Sequence, residues 1–581
     1  MDASRRPEAQ PRATLSRAAP RWSAVDPHQS AGAPVLGQRY RAPAASGEKL
    51  AVPPWSAMGD LLASNLAWRE QHNCRNCALL GKPLGELVAE ARREVLARAA
   101  AYTIDSLADS PEVQGFFHHW ADAAGRNAGA GPFIVTGHQP GLVHPGVWVK
   151  NFAAASLADA HQGVGLHIIV DADLCRAPSI VVPAGTVDSP RLTPVEFDLA
   201  SAELPWEERR IVDDDVWRSF PERVHETAGD LLADPMLDEW WPTATRRARA
   251  TSLVGAALAQ ARHRAELEWG CRNLELPQSE LCRTAAFRWF AAALLAELPR
   301  FVAAYNGALA DYRRTHKLRN HAQPVPDLAV EGDWLEAPFW VWTASDARRR
   351  PLFVRREAGG LLLSDRRGWE QSLPLTGPAD AAAAVAALGD WEAAGVKLRS
   401  RALITTMFTR LVVADLFLHG IGGAKYDEAT DAIAGRFFGA APPAFAALSG
   451  TLRLPIPHPP SEGKTPEQLR ASLRELAYHP ERVLAAAAFV NGERRAADAL
   501  IARKRQWVET EKTTQNAAER HREIAAANAA LQPLLADEGS RLERQIDAAV
   551  LRSRANRVLE SREFAFCLFP SRMLANFFLD F

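Results

Sequence analysis

The sequence predicts an α/β fold in which a parallel-sheet core with helical insertions is followed by a C-terminal helical hairpin or coiled-coil arm. Two observations predict the core: an apolar segment at residues 133 to 135 leads through a loop into a helical pattern, and a second apolar segment follows at 166 to 170. About 30 residues separate the two segments, which is typical of a βαβ unit. The arm is predicted by the Ala-, Glu-, Arg- and Lys-rich composition of residues 465 to 550, whose apolar spacing is partly heptad-like.

Composition predicts a globular protein with a large core. The chain has 581 residues, of which 47% are hydrophobic and 24% charged, and its net charge is −1. So small a net charge gives no overall field that would recruit nucleic acid or an anionic membrane, and we expect neither as a partner. The sequence has no apolar run of the ~18 to 20 residues that span a bilayer and no secretory signal, so we expect a cytoplasmic location. The six cysteines are too few for a disulfide scaffold.

Four segments differ in composition along the chain. Residues 1 to 50 are rich in Pro, Ala, Arg and Ser, and we expect a disordered tail. Residues 51 to 460 contain the α/β core, with helical and mixed insertions at about 190 to 400. Residues 461 to 555 form the helical hairpin or coiled-coil arm, which we expect to be a packing or homodimer element. The aromatic residues of 556 to 581 predict a hydrophobic segment that docks on the core.

The insertions are expected to carry long helices at about 222 to 318 and strands within about 325 to 455. In the second region Glu336, Phe339 and Trp340 form a distinctive cluster that either lines a pocket or belongs to the core. The arginines at positions 348 to 350 are interpreted as a solvated turn.

The segment of residues 133 to 155 combines a buried strand, a Gly/Pro/His loop and a helix. Open α/β sheets bind ligands at the carboxyl ends of their strands, and a helix N-terminus can hold a phosphate or a carboxylate. His138 can act as an acid, a base or a phosphate-contacting donor, or it is a turn histidine bonded to the backbone. Gln139 offers both a donor and an acceptor. His144, beside Pro145, either contacts a ligand or caps the helix.

The second strand ends in two carboxylates, Asp171 and Asp173. Only one of the two is expected to reach the pocket, and we favour Asp173. Helix capping is the alternative for either residue.

The run of residues 411 to 418 repeats this layout, since it leads into a Gly-rich segment that carries His419, Lys425 and Asp427. Glycines let the backbone approach a ligand closely, and the lysine can neutralise phosphate or carboxylate charge. The segment is not a P-loop, because GxxxxGK[ST] is absent. The alternatives are a core histidine for His419, a solvated turn for Lys425 and a helix N-cap for Asp427.

These motifs resemble those of the bacillithiol biosynthesis cysteine-adding enzymes, the BshC-type cysteine ligases, along most of the chain. Residues 135 to 142, VTGHQPGL, are similar to the family's strand-end TGQQ-x-GL sequence, and Gly146, Trp148 and Lys150 follow as its turn, aromatic and lysine. Residues 171 to 173 stand where the family carries an E-D-H-D-like run. Residues 416 to 423 are similar to its apolar strand and Gly-Gly-x-G turn.

The resemblance implies a Rossmann-like core with a coiled-coil arm, related to the class I synthetase type of nucleotide fold. It also implies a ligase that forms an amide between cysteine and the amine of a glucosamine–malate conjugate, a small-molecule substrate. ATP or another activated donor would supply the energy, with or without Mg²⁺. In that mechanism His138 and Lys425 stabilise phosphate charge, and Asp173 orients the amine or a Mg²⁺ ion.

The candidate residues divide into two groups. The catalytic candidates are His138, Asp173 and Lys425, and no metal ligand is assigned. The substrate- or nucleotide-binding candidates are Thr136, Gly137, Gln139, Gly141, His144, Gly146, Lys150, Asp171, His419, Gly420, Gly422, Gly423 and Asp427.

The chain departs from the family at substrate-side positions. It lacks the histidine between Asp171 and Asp173, it has His138 in place of the first glutamine, and its third motif continues into Lys425 and Asp427. A related ligase or transferase with another substrate is therefore one alternative. A second is a non-catalytic binding or assembly protein that uses its arm to contact a partner.

Overall fold

The computed structural model describes residues 40 to 72, 77 to 126, 131 to 320, 322 to 457, 463 to 484 and 491 to 580. The strands are β1 Lys49–Val52, β2 Ala78–Leu79, β3 Lys82–Pro83, β4 Phe133–His138, β5 Val164–Ile169, β6 Leu174–Cys175, β7 Ser179–Gly185, β8 Pro190–Glu196, β9 Leu204–Pro205, β10 Leu274–Pro277, β11 Val330–Glu331, β12 Trp334–Thr343, β13 Asp346–Glu357, β14 Gly360–Ser364, β15 Glu370–Leu373, β16 Val396–Ser400, β17 Leu416–His419 and β18 Phe445–Gly450.

The helices are α1 Met58–His72, α2 Leu84–Ser106, α3 Pro111–Gln114, α4 His118–Arg126, α5 Pro145–Ala160, α6 Asp214–Arg218, α7 Phe220–Ala228, α8 Leu237–Thr251, α9 Val254–Glu268, α10 Gln278–Cys282, α11 Ala285–Ala296, α12 Leu298–Thr315, α13 Ala381–Ala393, α14 Ala402–Phe408, α15 Ile421–Phe438, α16 Pro466–Tyr478, α17 Pro480–Leu484, α18 Asn491–Glu509, α19 Ala517–Leu531, α20 Ala536–Leu559 and α21 Ser571–Leu579. Among the described residues, no helix is both long and apolar enough to cross a bilayer.

The main sheet has the order β1-β18-β17-β4-β5-β10. Its neighbours from β18 to β10 pair in parallel, and β1 adds an antiparallel edge. The predicted α/β class is therefore confirmed, and β4, α5 and β5 form the predicted βαβ unit.

The chain connections leave β4 in opposite directions, because β5 lies on one side of β4 and β17 lies on the other. Helices cover both faces. Ile134 of β4 packs in one cluster with Ala154 of α5, whereas Val135 packs on the opposite face in a cluster that includes Ile433 of α15. The gap between β4 and β17 is thus a topological switch point.

A second, antiparallel sheet lies in the insertion, with the order β11-β12-β13-β14-β15 and with β16 paired to β12. It contains the strands expected between residues 325 and 455. Strand β10, by contrast, falls in the stretch predicted to be helical. It is only four residues long and contains Glu275, whose charge is paired inside the protein with Arg262, so no apolar run marks it in the sequence.

The predicted N-terminal tail is too long. Tyr40 is buried, and Lys49–Val52 is the edge strand β1, which pairs with β18. The short strand goes unrecognised because its tertiary partner lies some 400 residues away. Residues 1 to 39 lie outside the described part of the chain.

Residues 466 to 559 contain helices α16 to α20, which short turns connect where the chain is described, and their leucines form a separate cluster that includes Leu469, Leu476, Leu531 and Leu542. Helix α16 packs on α20, and α18 packs on α19. The coiled-coil character of this arm stays a prediction.

The C-terminal aromatic residues are buried against α5. Phe578 stacks on Phe152 with ring centroids 4.5 Å apart, and Phe566 lies 4.4 Å from Trp148. Replacing Phe578 with Ala should lower the free energy of unfolding by about 3 to 5 kcal/mol, because it opens a cavity in this cluster. Urea unfolding measures the change. Leu579→Ala is the matched control, since Leu579 is 59% exposed. Equal effects of the two substitutions would show that the segment is not docked.

Candidate functional site

The carboxyl ends of β4 and β17 lie side by side, where the strand order reverses. His138 ends β4 and His419 ends β17. Lys150 projects from α5 and passes Gly420, since a Cβ on Gly420 would lie 4.0 Å from Lys150 Cδ. We call the space bounded by His138, Lys150, His419 and Gly420 the switch-point crevice. Doubly wound α/β proteins bind their ligands at this position.

The Lys150 side chain is buried with a single acceptor. It is 2% exposed, and its Nζ donates a 2.8 Å hydrogen bond to the Gly137 carbonyl oxygen. No carboxylate among the described residues forms an ion pair with it. Burial, reinforced by the charge of Arg262, lowers the pKa of Lys150 to about 7. An ammonium has three N–H donors, and burying it without a counter-ion is costly, so the crevice favours an anion.

Helix α15 begins at Ile421, so the predicted Gly-rich turn is wrong. Gly420 is the N-cap residue, and no side chain caps the helix. Since no described side chain bonds to its first backbone N–H groups, these groups can bind a ligand beside Lys150. The prediction treated the glycines as a loop. Here they begin a helix, because the later residues of α15 pack in the core and stabilise it.

The glycines of this first turn differ in their surroundings. A Cβ on Gly423 would lie 2.7 Å from His419 Nδ1, whereas a Cβ on Gly422 would meet nothing within 4 Å. Gly423 thus lets the helix approach the histidine ring. Lys425 lies on the exposed surface of α15 rather than in a turn facing the crevice. The positive charge that the sequence predicted in the crevice belongs instead to Lys150.

His419 belongs to a buried polar network. Its Nε2 lies 2.9 Å from Oδ2 of Asp427, which also accepts a hydrogen bond from Arg410. Thr406 Oγ1 donates to Asp427 Oδ1 at 2.7 Å. Burial alone would raise the pKa of Asp427, but Arg410 and His419 hold it well below its ordinary value. Asp427 lies within α15 and is not the predicted N-cap.

His138 is partly exposed and neutral at physiological pH. Burial and the nearby Lys150 charge lower its pKa to about 3. Its Nδ1 lies 3.1 Å from the Gln139 carbonyl oxygen, so this nitrogen carries the proton. The lone pair then resides on Nε2, so the neutral ring can accept a hydrogen bond there, and the bond to Gln139 matches the alternative of a turn histidine bonded to the backbone.

Gln139 and Asp173 meet at the neighbouring strand end. Gln139 Nε2 donates to Asp173 Oδ2 at 3.0 Å, and Arg349 donates to Asp173 Oδ1 at 3.0 Å. Burial opposes ionisation of Asp173, but these bonds and the Arg349 charge lower its pKa. Asp173 is therefore an ionised carboxylate that the loop of β4 holds in place.

Asp171 points elsewhere, because residues 171 to 173 form a turn, whereas in an extended strand residues two apart would share a face. Both of its carboxylate oxygens accept hydrogen bonds from Ser279, one from the backbone N–H and one from the hydroxyl. Burial and the neighbouring Glu207 raise the pKa of Asp171 to about 7. The residue links the turn after β5 to the first turn of α10 rather than lining the crevice.

Several predicted binding residues have packing roles. Thr136 Oγ1 is bonded across the sheet to the Leu418 carbonyl oxygen at 2.9 Å. A Cβ on Gly146 would lie 2.0 Å from the Gly450 carbonyl oxygen, and one on Gly141 would lie 3.4 Å from the Trp206 ring. His144 stands at the N-cap position of α5, but its side chain makes no capping hydrogen bond, and its Nε2 lies 3.6 Å from a carboxylate oxygen of Glu563.

Sequence reasoning did not assign Arg349 and Arg401 to the site. Both guanidinium groups lie over the Trp340 ring, at 4.4 and 4.1 Å from its centroid, and Arg349 reaches Asp173. The arginines at 348 to 350 are thus not simply a solvated turn. The cluster of Glu336 and Trp340 in the sequence could have indicated these arginines. Arg401, however, follows strand β16 and is not near the cluster in the sequence.

No group of three or more His, Cys, Asp or Glu residues in the described ranges could hold a metal ion. A cavity of about 390 Å³ lies at the opposite, amino-terminal edge of the sheet, between α4, the end of α5 and the residues before β10.

A scan against protein-family models and a search of curated protein sequences both returned no match.

Proposed function

We propose that the protein is a ligase that joins an acid, such as an amino acid, to an amine, with the switch-point crevice holding the phosphate or carboxylate of the activated acid. The observation that carries the proposal is the buried Lys150 ammonium with one carbonyl acceptor, beside the uncapped N-terminus of α15. A preorganised cation and free backbone N–H groups stabilise negative charge as it develops on a leaving phosphate.

Two further groups support the amine half of the reaction. His138 Nε2 can accept a hydrogen bond from an amine, and the ionised Asp173 can attract an ammonium ion as it binds. His138 ends β4 and Asp173 follows the adjacent strand β5, so an acid and an amine would be brought together at one sheet edge. Such positioning converts a bimolecular step into an effectively intramolecular one.

The resemblance to the BshC-type enzymes supports cysteine as the acid and an amino sugar conjugate as the amine. A Rossmann-like nucleotide site and a coiled-coil arm that forms a homodimer belong to the same proposal. The activated donor is proposed to be ATP, with Lys150 taking the role that the sequence assigned to Lys425.

The test is to incubate the protein with ATP, Mg²⁺, the amino acids and glucosamine conjugates, and to assay ADP or AMP release and amide formation by mass spectrometry. His138→Ala should lower turnover about 10²-fold, because the amine loses an orienting partner. The control His521→Ala alters an exposed residue of α19 and should not change turnover.

The exposed apolar side chains Tyr478, Val508 and Leu551 favour a second candidate, a binding or assembly protein that contacts a partner through its helical arm. If the wild type releases no nucleotide product and forms no amide, while a second protein copurifies through the arm, the ligase proposal fails and this candidate replaces it.

A further inference from the structure

His419 has the geometry of a general base whose orientation is fixed by a carboxylate. Its ring is 5% exposed, and its Nε2 lies 2.9 Å from Asp427 Oδ2. Asp427 cannot rotate away, because Thr406 and Arg410 occupy its other hydrogen-bonding positions. An ionised carboxylate can only accept, so Nε2 of the neutral ring carries the proton.

The lone pair of the ring is then on Nδ1, which faces the first turn of α15. A Cβ on Gly423 would lie 2.7 Å from this atom. Within the described residues Nδ1 makes no hydrogen bond. The free lone pair and the free N–H groups of α15 therefore lie next to each other, at the position proposed for the activated acid.

Burial and the charged groups around His419 keep its ring neutral. These charged groups are Asp427 on α15, Arg410 on the turn before β17, and Lys150 on α5. Burial lowers the pKa of His419, and Arg410 and Lys150 act in the same direction, whereas Asp427 opposes them. When the ring accepts a proton, the adjacent carboxylate stabilises the imidazolium.

We infer that His419 is the general base of the reaction and that Asp427 is its positioning residue; this inference rests on the proposed ligase function. The nitrogen of the neutral amine attacks the carbonyl carbon of an acyl phosphate, so that a C–N bond forms and the C–O bond to phosphate breaks. Phosphate leaves with the electron pair of that bond. The amine proton passes to Nδ1 of His419 and from there to bulk water.

His138 is less suited to this role. No carboxylate among the described residues pairs with its ring, whereas Asp427 pairs with the ring of His419. A protonated His138 would be repelled by the nearby Lys150 ammonium, and no described carboxylate pairs with His138 to offset that repulsion. His138 therefore binds the amine, and His419 accepts its proton.

The test compares His419→Gln with His316→Gln. His316 makes the same kind of pair at 3.0 Å with Glu428, also on α15, but lies outside the crevice. His419→Gln should lower kcat by 10² to 10⁴-fold and remove the acidic limb of the pH–rate profile. Binding of inorganic phosphate, measured by calorimetry, should change less than about threefold, and His316→Gln should match the wild type.

Gly423→Ala is the second variant, in case His419→Gln does not fold. Its methyl group displaces the His419 ring without removing any polar group, so kcat should fall and the acidic limb should shift. Wild-type kcat and pH profile in these variants would overturn the inference, and so would loss of phosphate binding together with activity in His419→Gln. An inactive wild type would instead contradict the proposed ligase function itself.

Discussion

Lys150→Met should weaken anion binding in the switch-point crevice, lowering the affinity for ADP or inorganic phosphate by about 10²-fold or more. The substitution keeps the length and apolar packing of a side chain that is 2% exposed, but it removes the only cation that projects from α5 into the crevice. The free N–H groups of α15 remain, and alone they hold an exposed anion weakly.

The same substitution should change how stability depends on pH. The pKa of Lys150 is about 7 in the folded protein, against an ordinary value of 10.5. The unfolded state therefore binds more protons between these values, and the ligand-free wild type should gain stability as pH rises from 7 to 10. The gain expected from the pKa difference is on the order of 4 kcal/mol. Lys150→Met should lack this gain and should be more stable than the wild type near pH 7.

Thermal unfolding across this pH range, with and without phosphate, measures both effects. Lys425→Met is the comparison, because it removes a lysine that lies exposed on α15. It should weaken phosphate binding far less than Lys150→Met. The opposite ranking would restore Lys425 as the anion-binding lysine and exclude Lys150 from that role.

Asp415→Ala should lower the free energy of unfolding by about 3 to 5 kcal/mol, because it leaves buried cations without a counter-charge. Asp415 is fully buried and lies immediately before β17. Its Oδ1 is 2.7 Å from Arg69 of α1 and 2.5 Å from Arg92 of α2, and its Oδ2 accepts a hydrogen bond from Phe133 N at 2.9 Å. One carboxylate thus joins two helices to the start of β4.

Chemical denaturation measures this effect, with Asp215→Ala as the control. Asp215 also pairs with an arginine, Arg218, but its side chain is 91% exposed, so its removal should change stability by less than about 1 kcal/mol. A loss of similar size in both variants would show that the Asp415 network contributes no more than a surface ion pair.

The position of Asp415 also explains why one strand was predicted incorrectly. Residues 411 to 418 form one apolar run in the sequence, yet Thr409–Val413 is a turn of π-helix and only Leu416–His419 is a strand. Both segments are buried on all sides, so neither shows the periodicity of an exposed face. The buried aspartate marks the boundary, but its arginine partners lie more than 300 residues away in the sequence.

Local patterns predicted the main features of the crevice. Strand β4, its histidine loop and helix α5 were predicted because strand, loop and helix are adjacent in the chain, and Lys150 was included among the binding candidates. The preference for Asp173 over Asp171 was also part of the prediction. The bond between Asp173 and Gln139 agrees with it.

The sequence by itself determined the α/β class, the βαβ unit and the two strand ends that carry His138 and His419, because these depend on apolar periodicity within short segments. Only the tertiary structure decided which groups meet there. It exposed Lys425 on a helix, buried Lys150 against Gly137, paired His419 with Asp427 and brought Arg349 to Asp173. The physical reason is that hydrogen bonds and burial set the charge and proton position of each group, and both depend on neighbours that are remote in the sequence.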